Sequence, residues 1–265
     1  MPDADAPTGR PGADSVQRST AESLWADAGG PDQPFGLYFV EASDPRADAA
    51  RQLERRVFFE TYGNTPELMA AKYDPYEAAS VLLCVLDHRR RVVCGMMRMV
   101  FPSPAGLKTF HDLEHVWGRP LEPTLRDSGY ASDPRRAIDV ATIAVAPDYR
   151  GDNTEGLVSL ALYRGLVMTM VNGAIPAFVA TLDLVVLDLI QQRTAHPLRR
   201  FAGVEPLRHL DSPSSMPVFC EFEEYIPRLI ANDPAMHEIV FAGAGLDPVL
   251  WTPDDEQVSA LIPAA

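Results

Sequence analysis

Short apolar, β-branched runs alternate along the chain with longer runs of helical periodicity. The short runs predict buried strands and the long ones helices. The strands predicted in this way cover residues 37–40, 80–86, 92–100, 138–145, 177–183, 203–207 and 216–221, and the helices cover 45–60, 157–171, 185–193 and 223–231. A hairpin of two early strands and a later βαβ unit together predict an α/β sandwich with a mixed sheet.

The stretch at 138–156 is the centre of this organisation. A buried strand ends at Pro147-Asp148, a polar loop with glycines at both ends follows, and a long apolar helix begins. Strand, glycine-containing loop and helix together direct backbone N–H groups and a helix N-terminus at an anion, often a phosphate. Asp139 is the polar exception inside the strand.

The ends of the chain and one internal segment differ from this core in composition. Residues 1–34 are rich in Ala, Asp, Gly, Pro and Ser, which predicts a mobile tail with at most a helical turn at 21–28. Residues 35–231 form the predicted domain, and 232–265 form a weakly patterned C-terminal extension. Within the domain, the excursion at 102–136 is polar and proline-containing, and a connection of this length often covers a substrate.

Composition narrows the class of protein. Hydrophobic residues make up 46% of the chain, as in a globular protein, and the formal net charge of −14 argues against nonspecific nucleic-acid binding. No apolar run approaches the length of a membrane span, and the N-terminus lacks an apolar signal region. The three cysteines have no metal-ligand spacing and predict reduced, buried thiols in a cytoplasmic protein.

Two sets of residues carry a resemblance to a known family. The element order and the segment Ile143-Ala-Val-Ala-Pro-Asp-Tyr-Arg-Gly151 resemble the GNAT superfamily of N-acetyltransferases. Within that superfamily, the chain is similar to the acyl-homoserine-lactone synthases and long-chain N-acyl amino acid synthases. The elements that carry this second similarity are Arg55-Arg-Val-Phe58, Tyr73-Asp-Pro-Tyr76, Gly95-Met-Met-Arg98, Lys108-Thr-Phe-His-Asp-Leu113 and Asp139-Val-Ala-Thr142. The resemblance implies a mixed, mostly antiparallel sheet flanked by helices on both faces.

The resemblance also implies an activity and a donor. It implies an N-acyltransferase that moves an acyl group from a phosphopantetheine thioester, acyl-CoA or acyl carrier protein, to the amine of a small molecule or amino acid, with no tightly bound cofactor. The loop of this chain is longer than the family's and carries Asp152 and Glu155, which would repel a diphosphate unless they point away. A donor with a single phosphate, as in acyl carrier protein, would be tolerated better. The branch has Ser-Arg at the last two positions of this motif, where this chain has Ala141-Thr142, so the resemblance does not imply lactone formation.

Site residues follow residue by residue from the same resemblance, and no metal site is expected. Asp139 is predicted to act as a base or as an anion that binds the amine, because burial raises the pKa of a carboxyl group. The backbone amide at Val145 would polarise the thioester carbonyl. The remaining site residues are predicted to bind the donor (Val145, Tyr149, Arg150, Gly151, Asn153 and Gly156) or the acceptor (Arg98, Asp74, Phe110 and Thr142).

Several of these residues have a plainer structural explanation. Asp139 could pair with Arg135 or Arg136 instead of acting in chemistry, and Asp183 could cap the helix at 185–193 instead of lining a cleft. The histidines, including His111, His115 and His196, fit exposed positions better than catalytic ones. Met96, Met97 and Met99 fit a core as well as an acyl tunnel. Basic islands that could steer an acidic carrier protein, or simply keep the surface soluble, stand at Arg89-Arg-Arg91, Arg193 and Arg199-Arg200.

Two other functions remain open at this point. A simple acetyl-CoA-dependent small-molecule N-acetyltransferase would use the same fold. A degenerate, non-catalytic member of the fold, with its acidic loop, would bind a ligand or partner without turnover.

Overall fold

A computed structural model describes residues 13–194 and 198–252 of the protein. Nine α-helices are found in these residues: α1 Ala13–Asp27, α2 Ala47–Tyr62, α3 Pro66–Tyr73, α4 Lys108–His115, α5 Leu121–Asp127, α6 Leu157–Asn172, α7 Leu184–Thr194, α8 Phe222–Asn232 and α9 Pro234–His237. The strands in the same residues are β1 Phe35–Glu41, β2 Ser80–Asp87, β3 Val92–Val100, β4 Ile138–Val145, β5 Ala177–Asp183, β6 Arg199–Arg200, β7 Leu207–His209, β8 Ser212–Glu221 and β9 Val249–Trp251.

All of these strands belong to one mixed sheet. Its order is β6-β8-β5-β4-β3-β2-β1-β9, with β7 pairing with β8. Two neighbouring pairs are parallel, β4 with β5 and β1 with β9, and the other pairs in the described residues are antiparallel. The predicted mixed, mostly antiparallel sheet flanked by helices is therefore confirmed.

The two faces of the sheet carry different helices. A side chain at Gly165 on α6 would meet Leu83 at 2.8 Å and Leu37 at 3.1 Å, so α6 packs tightly on the face to which these leucines point. Arg98 of β3 points to the other face, where it contacts Glu54 of α2. Helix α6 also approaches β3 closely at Gly95, because a Cβ there would lie 2.4 Å from Val158 of α6.

Several element predictions need correction. Residues 203–206 are not strand, because β7 begins only at Leu207. The excursion at 102–136 contains two helices, α4 and α5. The C-terminal extension contributes β9, which lies parallel to β1, after a π-helical turn at Glu238–Ala242.

The N-terminal segment is more ordered than a tail with one helical turn. In its described part, α1 runs from Ala13 to Asp27 and buries Ala21 and Leu24. The guanidinium of Arg91, in the β2–β3 turn, lies 3.5 Å from the ring centroid of Trp25. Stacking of this kind stabilises the contact between α1 and the sheet. The division of the chain at residues 34 and 231 stays a prediction.

The cysteines and the lengths of the helices can be compared with the expectations from composition. Cys84, Cys94 and Cys220 are free and buried, and burial raises the pKa of Cys84 to about 12. Thiols with such a pKa stay protonated and unreactive at neutral pH. Among the described residues, no helix is long and apolar enough to cross a membrane.

Candidate active site

The parallel strands β4 and β5 diverge soon after they begin. They pair at Ile138–Phe178 and Asp139–Val179, and the ladder then ends. Beyond that point, residues of both strands are only half-buried, although residues in the middle of a sheet are normally buried. These residues are Ala141, Ile143 and Val145 on β4, and Thr181, Leu182 and Asp183 on β5. The carboxyl halves of the two strands therefore form a fork in the middle of the sheet.

The backbone of Val145 faces into this fork. Ala146 N–H donates to the carbonyl of Cys94 at 2.9 Å, and Val145 lies opposite Gly95. Because bonded and non-bonded pairs alternate along an antiparallel ladder, the N–H and C=O of Val145 point away from β3 and toward β5. The guanidinium of Arg150 reaches the Val145 carbonyl from that side, with Nε 2.7 Å away. The Val145 N–H is thus directed where a ligand carbonyl could accept it.

The loop after β4 leads from this fork to the start of α6. Gly151 and Gly156 adopt φ values of +52° and +77°, in the left-handed region that favours glycine. Gly156 N–H donates to the carbonyl of Gly151 at 3.0 Å, which closes the loop on itself. The first N–H groups of α6 have no partner within the helix, although Leu157 N–H donates to the carbonyl of Thr154 at 2.9 Å. Binding of an anion at this end of the helix stays a prediction.

Residues predicted to bind the donor occupy two different environments. Arg150, Gly151 and Asn153 are exposed on the loop, as a ligand contact requires. Tyr149 is buried, and its hydroxyl donates to Asp87 at 2.8 Å. This bond ties the loop to the β2–β3 hairpin and favours an anchoring role for Tyr149; direct contact with the donor stays a prediction.

A polar cavity of about 270 Å³ lies on the α2 face of the sheet. Its wall contains four carboxylates and three guanidinium groups, together with Met69, Ala70 and Tyr73: Asp48, Glu54, Asp74, Glu77, Arg51, Arg55 and Arg98. The structure thereby brings together Arg98 and Asp74, which the sequence predicts to contact the acceptor.

Arg98 forms the floor of this cavity. It donates to both oxygens of Glu54, at 3.0 and 2.8 Å, and to Glu77 at 2.5 Å. Although burial lowers the pKa of Arg98, the neighbouring carboxylates of Glu54 and Glu77 raise it above its usual value. The Thr142 hydroxyl, from β4, donates to Glu54. This bonding favours an organising role for Arg98 and Thr142, whereas their contact with an acceptor stays a prediction.

Two charged side chains at the same cavity have no ion-pair partner among the described residues. Asp74 and Arg55 are exposed and form no ion pair within 4.0 Å in the described residues. Arg51, by contrast, already binds Asp48 and Glu77. Asp74 is therefore an available anion for an amine, and Arg55 an available guanidinium for a carboxylate.

Asp139 is fully buried and anchors α4 to the sheet. Its carboxylate accepts from the backbone N–H of Thr109 at 2.5 Å and from the Thr109 hydroxyl at 3.1 Å. The same hydroxyl lies 3.4 Å from that of Thr181 on β5, so the start of α4 bridges the two strands where they diverge. The alternative pairing of Asp139 with Arg135 or Arg136 is wrong, because these bind Asp133 and the carbonyl of Ala174.

Asp139 is expected to make stability depend on pH. Burial raises its pKa to about 6, although the Thr109 backbone bond lowers it. A raised pKa means that the folded state binds the proton more tightly, so this contribution is complete below about pH 4 and is lost as the pH rises through about 6. We therefore compare the wild type with the Asp139→Asn variant. The unfolding free energy of the wild type minus that of the variant should fall by about 3 kcal/mol as the pH rises from about 4 to above 6.

Urea unfolding of both proteins at several pH values measures this difference. Glu77 and Asp112 also make stability depend on pH, with the opposite sign, because their cationic partners lower their pKa values despite burial. Subtracting the variant from the wild type removes these contributions, which both proteins share. A constant difference from pH 4 to 7 would contradict the expectation. Asp139 as a catalytic base stays a prediction, which the same variant tests through turnover at unchanged donor binding.

Phe110 lies in an aromatic cluster, away from both the cavity and the loop. Its ring is buried and packs at 6.4 Å, between ring centroids, from both Tyr130 and Phe201. Phe219 of β8 completes the cluster. This packing favours a core role, and contact of Phe110 with a substrate stays a prediction.

Several other residues with possible functional roles have structural roles in the protein. Asp183 caps α7, since it accepts from Val185 N–H at 2.8 Å, and it also accepts from Ser212. Met96, Met97 and Met99 are fully buried core residues. His111 and His115 are exposed and stack at 4.0 Å. His196 and the side chain of Arg193 lie outside the described residues.

Sequence reasoning missed a second buried charged cluster beside the fork. Lys108 donates to Asp112 one helical turn later, and His209 Nε2 lies 3.2 Å from the same carboxylate. The ring of Tyr73 separates this cluster from the cavity, with the Lys108 ammonium 5.2 Å from its centroid. The spacing of Lys108 and Asp112 on one helix was a visible signal, but His209 comes from β7, a hundred residues away in sequence.

Comparison with known proteins agrees with this architecture. Residues 53–159 match the family model described as an acetyltransferase (GNAT) domain. The structure of BjaI, a CoA-dependent acyl-homoserine lactone synthase, is similar with a TM-score of 0.57 at 16% identity, covering 86% of this chain and 98% of that one.

Two further structures have the same fold. FeeM, an N-acyl amino acid synthase from uncultured soil microbes, gives a TM-score of 0.54 at 13% identity, covering 74% of this chain and 96% of that one. The acyl-homoserine lactone synthase LasI gives 0.50 at 16% identity, covering 71% and 88%. At these identities the similarity establishes the fold. No curated protein matches the sequence.

Proposed function

We propose that the chain is an N-acyltransferase of the GNAT superfamily. It moves an acyl group from a phosphopantetheine thioester, carried by CoA or by acyl carrier protein, to the amine of a small molecule or amino acid. The observation that carries this proposal is the fork between β4 and β5, with the Val145 N–H directed into it and the loop at its end.

The reaction assigns a task to each part of this geometry. The neutral amine attacks the thioester carbonyl carbon, and negative charge develops on the carbonyl oxygen. The C–S bond then breaks, and the proton lost by the nitrogen ends on the departing sulfur, which gives an amide and a thiol. A fixed backbone N–H aimed at that oxygen stabilises the charge without reorganisation. The loop amides and the start of α6 hold the phosphate of the pantetheine arm.

The carboxylate-rich cavity supports an amine as the acceptor. Its floor, Arg98, lies opposite Thr142, and this pair is three residues along the strands from the Gly95–Val145 pair, which corresponds to about 10 Å. Asp74 at its wall is free to bind an ammonium group. Arg55 is free to bind a carboxylate, which favours acceptors that carry both charges.

Surface charge near the loop supports a carrier protein as one donor. Arg89 and Arg90 are exposed in the β2–β3 turn, and Arg90 donates to the Tyr149 hydroxyl at 3.3 Å. They therefore stand beside the donor loop on an otherwise acidic protein. Acidic carrier proteins are steered by such local basic patches, whereas the exposed Asp152 and Glu155 disfavour a diphosphate.

Donor competition tests the proposal. Purified protein is assayed for acyl transfer to a panel of amino acids and simple amines, with acetyl-CoA, long-chain acyl-CoA and long-chain acyl carrier protein as donors. We expect turnover of a long-chain donor. Rapid acetyl transfer without use of long-chain donors would instead identify an acetyl-CoA-dependent acetyltransferase, and absence of calorimetric binding for every pantetheine thioester would reject the enzyme.

Asp74 is expected to act in acceptor binding. Asp74→Asn removes a charge that attracts the ammonium group, so the KM for the amine should rise about tenfold with a smaller change in kcat. Asp127→Asn, an exposed aspartate on α5, serves as the matched control. Equal KM values for the two variants would place the acceptor elsewhere.

A further inference from the structure

A second cavity lies on the opposite face of the sheet, outside the proposed active site. It has a volume of about 170 Å³ and is enclosed by α6, β1 and the C-terminal segment that ends in β9. Leu37 of β1 points to the α6 face, as its approach to Gly165 shows, whereas Arg98 and the acidic cavity belong to the α2 face. The sheet therefore separates the two cavities.

Arg164 of α6 is the cationic group of this second cavity. Its Nη1 donates to the carbonyl of Val240 at 2.9 Å, in the middle of the π-helical turn. Its guanidinium carbon lies 5.0 Å from the ring centroid of Trp251. Among the described residues Arg164 forms no ion pair, and of its nitrogens only Nη1 forms hydrogen bonds, to the carbonyls of Val240 and, at 3.5 Å, Ile239. Burial lowers the pKa of Arg164.

The remaining wall is mainly apolar. Leu37, Ala161, Leu246, Val249 and Trp251 form most of the lining. A cavity of about 150 Å³ with such a lining admits one benzene-sized molecule. The occupant that fits has a single ring or about six carbon atoms in its apolar part.

The charges around the cavity determine which anionic group of a ligand it binds. A guanidinium with free donors binds carboxylate or phosphate oxygens equally well in geometry. The exposed Asp247 also lines the cavity without pairing with Arg164. Its negative charge repels a phosphate dianion more strongly than a monocarboxylate, since the repulsion scales with the ligand's charge.

We infer that this cavity is a binding site for a small monocarboxylate with an apolar body, held by Arg164 and packed against Trp251 and the β1–β9 edge. The carboxylate takes the free donors of the guanidinium, and the ring or short alkyl chain contacts the apolar wall. The site does not depend on acyl transfer, because it lies on the other face of the sheet.

Calorimetric titration of the full chain with hexanoate and with benzoate tests the inference, and Trp251 gives a parallel fluorescence signal. We expect saturable binding of at least one of these acids with a Kd of about 1 mM or below. Hexan-1-ol, which has the same apolar body without the charge, should bind about tenfold more weakly. Absence of saturable binding of both acids, or equal affinity for the alcohol, would overturn the assignment.

Two variants identify the residues involved. Arg164→Gln should weaken binding about tenfold or more, whereas Arg126→Gln, an exposed arginine on α5, should leave it unchanged. Val249→Phe fills the cavity and should abolish binding while Arg164 is retained, so the test holds even where Arg164→Gln fails to fold. Full affinity in both Arg164→Gln and Val249→Phe would show that the acid binds elsewhere.

Discussion

Arg98→Met is expected to lower the free energy of unfolding by about 3–5 kcal/mol, because it leaves a buried carboxylate without its counter-charge. Arg98 and Glu54 are 2% and 3% exposed, and their two hydrogen bonds hold the charge of Glu54 inside the protein. After the substitution Glu54 retains only the Thr142 hydroxyl. Glu77 is affected less, since Arg51 still binds it at 2.7 Å.

Urea unfolding of three variants separates this effect from general damage. The double variant Glu54→Leu/Arg98→Met removes both charges and should recover most of the stability, because an apolar pair replaces a buried ion pair at little cost. Arg135→Met removes an arginine that is 88% exposed and paired with Asp133, and should change little. A loss in Arg98→Met no greater than in Arg135→Met would show that Glu54 does not depend on Arg98.

Val145→Pro is expected to lower kcat by about 10²–10³-fold, the usual cost of removing one donor to a developing oxyanion. The substitution removes the N–H that faces the fork but no bond to β3, because Val145 forms a non-bonded pair with Gly95. The carbonyl that receives Arg150 is also retained. Donor affinity, measured by calorimetry, should therefore change much less than turnover.

Val145→Ala is the matched control, since it trims the side chain and keeps the N–H. Its turnover should remain within a few-fold of the wild type, and the melting temperatures of both variants report any loss of fold. Equal turnover in the proline and alanine variants would exclude the Val145 N–H from the chemistry. This result would leave the fold assignment intact.

The sequence predicts most of the central sheet because its signals are local. The runs at 80–86, 92–100 and 138–145 are apolar and bounded by turn residues, and each matches a strand to within a residue. The short strands β6, β7 and β9 were missed or misplaced, because two or three residues carry no periodicity and are strands only through their partners.

The candidate site was predicted in outline but not in its contacts. The resemblance names Arg98 and Asp74 as acceptor contacts, a role that stays a prediction, whereas Glu54, the partner of Arg98, lies in the apolar face of α2 between Leu53 and Val57. An acid at a buried helical position signals a charged partner but does not name it. The bond between Asp139 and Thr109 likewise depends on how α4 crosses the sheet, which no local pattern encodes.

The β1–β9 pairing has a consequence for shortened forms of the protein. Phe35, Gly36 and Leu37 pair with Val249, Leu250 and Trp251, and Phe35 N–H donates to the carbonyl of Pro248. A protein trimmed after the last residue that matches the family, or anywhere before β9, would present β1 as a bare edge with its backbone donors and acceptors exposed. Such edges recruit strands from other molecules, so trimmed forms are prone to aggregate even where every residue of the fork is retained.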